Sequence, residues 1–313
     1  MTKKATKPVI YLGALTTLAI ALLLTGCGSK NESTPGSAPG AATGGKKQPI
    51  ANIGSDTMVN LAIAWADAYS QVEPAVSVEV NGGGSGQGVA ALINGSCDIA
   101  NCSRKFEEKE IADFKAKHPG KDPKEFMVGY DALSVFVHKD NPLEEISIDE
   151  LQQLYMKDGK IAKWSELGVK NIPGAKGDEV ILVSRQNNSG TYHYFREIIV
   201  GKKNEMRLGT VDMNGSKDVV DLISKTPNAI GYSGMGYATQ QVKHLRVSKK
   251  KGEKAVEPSI ATTLDKSYPI ARPMFMYTAG DPAPQVKKYL DWIIGAAGQK
   301  IVEETGYIPL PKQ

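Results

Sequence analysis

The sequence predicts an α/β protein of two domains, with parallel-rich sheets and flanking helices. Two observations carry this. Between residues 49 and 103, short apolar strands alternate with helical stretches in the order β-α-β-α-β, the pattern of a parallel sheet with crossover helices. About 265 residues follow the N-terminal leader and linker, enough for two domains with cores of their own.

The elements follow in order. "PIANIGSDTM" (49–58) reads as a strand that ends in Gly54-Ser55-Asp56-Thr57. In "MVNLAIAWADAYSQV" (58–72), Met58, Leu61, Trp65 and Tyr69 share one helical face, and Asp56 and Thr57 are good helix-start residues. "AVSVEV" (75–80) alternates as a strand, "NGGGSGQG" (81–88) is a glycine loop, "VAALING" (89–95) a short helix and "CDIANCS" (97–103) another strand. "DALSVFVHKDNP" (131–142) is a strand running into a turn. Ser147 and Glu150 form a capping box before "DELQQLYM". "EVILVSR" (179–185) is a buried strand. Residues 216–238 give a helix and then a strand, and 247–267 read as exposed, charged connection. "YPIARPMFMYT" (268–278) is a strand, and 284–311 read as helix, glycine break, helix and Pro-rich tail.

The N-terminus carries an export signal. Lys3, Lys4 and Lys7 precede an apolar run from Val9 to Leu24, which ends in Leu24-Thr25-Gly26-Cys27. The run is short for a membrane span. The order resembles a bacterial lipobox, so residues 1–26 are expected to leave and Cys27 to be lipidated with fatty acyl chains such as palmitate. Residues 27–49 are almost all Gly, Ser, Pro, Ala, Thr and Lys, a composition that cannot bury enough apolar surface to fold. Such a tether of about 22 residues reaches roughly 25 Å. The expected location is therefore outside the cytoplasmic membrane and anchored to it.

Removing Lys3, Lys4 and Lys7 from 38 basic residues leaves 35 against 34 acidic ones. A net charge near +1 offers no nucleic-acid surface. The four histidines show no metal spacing. Cys97 and Cys102, on one strand, would point to opposite faces about 16 Å apart, too far for a disulfide. No metal and no cofactor are expected.

Three strand-to-helix loops share one chemistry: Ser55 to Met58, Gly84 to Gly88, and Arg185 to Thr191. A fourth polar element, Ser103-Arg104, ends a strand on the same side of the sheet. Ligands of parallel α/β sheets bind beyond the carboxyl ends of the strands, where helix starts present free N–H groups and partial positive charge. Glycine permits close approach, hydroxyls add donors, and Arg104 and Arg185 can fork onto an anion. Each loop alone would read as a cap or a turn. Together they predict a nest for a small oxyanion. Catalysis is not expected: a P-loop lysine is lacking, no G-x-S-x-G surrounds Ser85, and Ser189 has no base beside it, since His193 lies four residues along the helix.

"GSDTMVNLAIAWADAY", "VEVNGGGSGQGVAALINGSCDIANCSR", "YDALSVFVHKDNP", "SRQNNSGTYHYFRE", "AIGYSGMGYA" and "GQKIVEETGYIPL" resemble the solute-binding lipoproteins of phosphate ABC transporters, which have the type II periplasmic binding protein fold. The resemblance runs from Ile50 to Pro311. It implies two α/β domains joined by two crossover strands, with a ligand cleft between them. The split domain is expected at 50–133 and 273–313, the other at 134–272. The implied ligand is inorganic phosphate, delivered by a monomer to the permease and ATPase subunits of a transporter. Sulfate, molybdate, tungstate, or phosphate sensing without transport are the alternatives. Residue by residue, the resemblance implies ligand contacts from Thr57, the Met58 N–H, Ser85, Gly86, Arg185, Ser189, Gly190 and Thr191. Where the best-known pattern has an aspartate accepting a phosphate proton, this chain has Ser103, followed by Arg104. Asp56 is then either a substitute acceptor or a helix-start acid.

Overall fold

The computed structural model describes residues 47–311. The expected leader 1–26, Cys27 and nearly all of the expected tether lie outside the described residues. The first strands and helices are β1 (Gln48–Gly54), α1 (Val59–Val72), β2 (Val76–Asn81), α2 (Ser85–Ile93), β3 (Ile99–Cys102) and α3 (Glu108–Lys117). The long strand β4 (Pro123–His138) leads to β5 (Glu145–Ser147), α4 (Ile148–Tyr155), β6 (Ile181–Arg185), α5 (Gly190–Phe195), β7 (Val211–Met213), α6 (Ser216–Ile223) and β8 (Ala229–Gly234). Then come β9 (Val242–His244), β10 (Arg246–Ser248), α7 (Ile260–Leu264), β11 (Ala271–Ala279), α8 (Pro284–Ile294) and α9 (Ala296–Glu304).

The fold is a mixed α/β, two-domain one built on a nine-stranded sheet, eight strands of which run β2-β1-β3-β11-β4-β8-β6-β7, with the ninth, β9, paired to β4. The ends are parallel, β2-β1-β3 on one side and β8-β6-β7 on the other. The middle is antiparallel, because β11 and β4 run against β3 and β8 and against each other. Strand β4 changes partners midway. It pairs with β11 up to Ala132 and with β8 from Leu133 on. Its burial alternates little past Val128, as expected for a strand covered on both faces.

One buried cluster runs through both lobes: Trp65, Tyr69, Tyr289, Leu290 and Ile293 belong to it together with Val183, Val219 and Ile223. Val89, Leu92, Phe114 and Phe275 form a smaller cluster in the first lobe. In the second lobe Phe195 stacks on Tyr232 at 3.7 Å, and the Tyr155 hydroxyl donates to the carbonyls of Val183 and Ile230. The Ser147–Glu150 capping box opens α4 as the sequence indicates. Helix α1, however, starts at Val59 with no side-chain cap, so Asp56 and Thr57 precede it without capping it. Helix α3 gave no clear sequence signal, and the stretch 247–267 holds the end of β10, which pairs with β5, and α7. Cys97 and Cys102 are both free. Among the described residues, no helix is long and apolar enough to cross a membrane.

Candidate functional site

Each of the four polar elements follows the carboxyl end of a strand (β1, β2, β3 or β6), and they converge. The Ser85 Oγ accepts the Ser103 N–H at 3.1 Å and lies 3.4 Å from the Ser103 Oγ, which accepts the Ser55 hydroxyl at 3.0 Å. Across from them stands Gly190 of the second lobe. A Cβ there would sit 2.3 Å from the Ser85 Oγ and 2.7 Å from the Ser103 Oγ. Glycine is thus required by the approach of the opposite lobe. Gly86 N–H donates to the Asn188 carbonyl at 3.0 Å, and the Asn188 amide donates back to Gly83 at 2.9 Å. The Thr57 and Thr191 hydroxyls meet across the lobes at 2.7 Å. Ser189 caps α5, its Oγ accepting the N–H groups of Thr191 and Tyr192.

Arg185 is buried, with four of its five N–H donors engaged. It donates to Ser216 Oγ at 2.9 Å, to the Asn214 carbonyl at 2.6 Å and to Asp56 Oδ2 at 3.1 Å. Burial pulls its pKa down, and the Asp56 carboxylate opposes that shift. Asp56 Oδ1 accepts the Gly83 N–H at 2.9 Å. Both of its oxygens are therefore occupied by a cross-lobe ion pair and a loop amide, which is neither a helix cap nor an idle acceptor.

Two expected contributors stand differently. The Met58 N–H donates to the Ser55 carbonyl at 2.9 Å, closing the turn before α1, and its side chain is core. Arg104 is captured within its own lobe. Glu110, whose carboxylate closes the capping box of α3 on the Glu107 N–H, accepts from both terminal nitrogens of the Arg104 guanidinium, Nη1 at 2.7 Å and Nη2 at 2.6 Å. His193 is no base for Ser189: its Nε2 faces the Asn187 carbonyl at 2.7 Å and its Nδ1 faces Glu107 at 3.2 Å.

Sequence reasoning missed Arg272 and Asp131, directly opposite each other on β11 and β4. They are 1% and 0% exposed. Arg272 donates to Asp131 through Nε at 3.1 Å and Nη2 at 2.8 Å, to the Ser103 carbonyl through Nη1 at 3.2 Å, and to Thr191 Oγ1 at 2.9 Å and Thr57 Oγ1 at 3.3 Å. A charge inside an apolar strand demands a buried partner, and "YDALS" and "ARPMF" carried that signal. Two tyrosines were missed as well. The Tyr237 hydroxyl donates to the Asp56 carbonyl at 2.6 Å, and the Tyr307 hydroxyl to that of Thr57. Burial pushes the Tyr237 pKa up to about 12, so it remains a donor.

The arrangement gathers hydroxyls and amides around two neutralised arginines. That suits holding an oxyanion; the serines have no base beside them with which to attack one. Among the described residues, no group of three or more His, Cys, Asp or Glu could hold a metal ion.

The PBP superfamily domain matches residues 33–297. A phosphate-binding protein PstS of Pseudomonas aeruginosa is 33% identical over 272 residues, covering 84% of this chain and 83% of that protein. One from Bacillus subtilis is 30% identical over 295 residues, covering 93% and 91%. A Clostridium perfringens protein described as a phosphate ABC transporter substrate-binding protein, solved with bound phosphate, superposes with a TM-score of 0.74 at 27% identity, over 84% of this chain and all of that one. The chain belongs to the PBP superfamily and, within it, to the family of PstS phosphate-binding proteins.

Proposed function

We propose that this protein binds inorganic phosphate outside the cytoplasmic membrane and delivers it to a phosphate ABC transporter. One observation carries the reading. Ser85 and Ser103 from one lobe stand against Gly190 from the other, so near that a side chain there would collide, and an anion bound beside this contact meets donors of both lobes. A ligand with contacts to both favours the closed arrangement by those contacts. Thr57, Ser85, Gly86, Ser103, Arg185, Ser189, Gly190 and Thr191 are the proposed donors. The lobes would divide near 133/134 and 272/273, where β4 changes partners and β11 begins. The protein would act as a monomer held to the envelope by a lipid on Cys27, without cofactor and without turnover.

The test is calorimetric titration of phosphate-stripped protein with phosphate, with and without excess sulfate. Saturable phosphate binding that sulfate leaves in place is expected. A protein silent to phosphate, or one that sulfate fully displaces, would overturn the reading in favour of another oxyanion.

A further inference from the structure

Arg272 and Asp131 lie on the two strands at the junction of the lobes, in direct antiparallel register. Opposite residues of such a pair project to one face, so the pair is built into the strands and moves with neither set of loops. Its reach is wide. Arg272 touches Thr57 and the Ser103 backbone from one lobe and Thr191 from the other. Its guanidinium lies 5.4 Å from the Tyr194 ring of α5, whose hydroxyl donates to the Ala271 carbonyl. Asp131 adds a further tie by accepting the Met235 N–H after β8 at 3.2 Å.

The hydrogen-bond inventory gives this hub a direction. Guanidinium only donates. Of the two N–H groups on Nη2, one goes to Asp131 Oδ2. The other is left for the two threonine oxygens at 2.9 and 3.3 Å. The two threonine oxygens thus share that one N–H. The hydroxyls, 2.7 Å apart, can use only one of their two protons on each other, which leaves the other free to donate. Such a pair holds a donor ready for an acceptor oxygen.

We propose that Arg272, held by Asp131, is the positioning residue that presets the Thr57 and Thr191 hydroxyls of opposite lobes as donors to one bound oxyanion. This rests on the phosphate reading above. Through Arg272, capture of the anion and contact between lobes share one hydrogen-bond network, and loss of the Thr191 hydroxyl removes the nearer of the two targets through which Arg272 acts.

The experiment is a double-mutant cycle on phosphate affinity. Asp131→Asn combined with Arg272→Gln removes both buried charges together, and each background is titrated with and without Thr191→Val. Thr191→Val is expected to raise the phosphate Kd at least tenfold in the wild-type background and less than threefold in the paired variant, because residues acting as a unit are not additive. A paired variant that binds phosphate within threefold of wild type, or an equal Thr191→Val cost in both backgrounds, overturns the proposal. Arg272→Lys serves as the second variant should the pair fail to fold. It keeps the charge facing Asp131 but loses the fork, and a loss of at least tenfold in affinity is expected; affinity within threefold of wild type would again overturn the assignment. Wild-type protein without a phosphate response would overturn the phosphate reading and this inference together, whereas a normal wild-type response alongside an unaffected variant sinks only the role of Arg272.

Discussion

At the residue scale, Gly190 and Asp56 separate contact from charge. Gly190 opens α5, where alanine is a better helix former than glycine. Its Cβ would nonetheless sit 2.3 Å from the Ser85 Oγ. Gly190→Ala is therefore expected to leave the melting temperature within about 2 °C while phosphate affinity falls on the order of a hundredfold, because the strain falls only on the closed arrangement. Calorimetry and a thermal melt on the same sample check both halves. Asp56 has both oxygens occupied by Arg185 and the Gly83 N–H. Asp56→Asn should weaken phosphate binding, since it leaves Arg185 buried without its counter-charge. It should also leave the phosphate-to-sulfate preference within about threefold. Competition titration measures that ratio, and a large loss of preference would return Asp56 to the role of proton acceptor.

At the element scale, the loops that converge were legible because each combines a strand end, glycine or hydroxyl residues and a helix start within ten residues. The meeting of Thr57, Ser85, Ser103 and Thr191 could be expected from such local order. Arg272 could not. Its partners Asp131 and Thr191 lie 141 and 81 positions away, and they meet only through the register of β4 with β11, which no local pattern encodes. Arg104 stands apart from that meeting for the opposite reason. Its local order looked right, but Glu110 one helix turn into α3 offered a fixed carboxylate. The capping box of α4 was local and legible, and it makes a pH prediction. Burial pushes the Glu150 carboxyl up, but bonds from Lys251 and from the Ser147 N–H and hydroxyl outweigh it and hold the pKa below 4.5. A depressed carboxylate contributes stability above its unfolded pKa and loses it as pH falls through the folded one. Ser147→Ala should thus cost about 1 kcal/mol near neutrality, with the gap from wild type narrowing below about pH 4. Denaturant melts at pH 7 and pH 3.5 test this; a constant gap would mean that only the Ser147 bond to the Glu150 N–H matters.

For the whole molecule, the buried charges nearest the site balance. Arg185 faces Asp56 and Arg272 faces Asp131, so two positive and two negative groups meet where the lobes touch. The chain as a whole is also near neutral once the leader is discounted. On the proposed reading, an anion bound here would be held by short hydrogen bonds and aligned dipoles out of water, where screening is weak. A near-neutral total gives no net long-range attraction for an anion. Phosphate affinity should therefore change by less than about threefold between roughly 50 and 500 mM sodium chloride, although the Debye length shrinks more than threefold over that range. Titration across the series at fixed pH checks it. A fall of tenfold or more would show that an unbalanced positive charge contributes to capture, with Arg104 released from Glu110 as the first group to suspect. The same titrations yield a stability readout, because phosphate at about a hundred times its Kd should add about 2.7 kcal/mol to the folded state. At one fixed phosphate concentration that gain should be as insensitive to salt as the affinity, since both report the free energy with which phosphate binds the folded state.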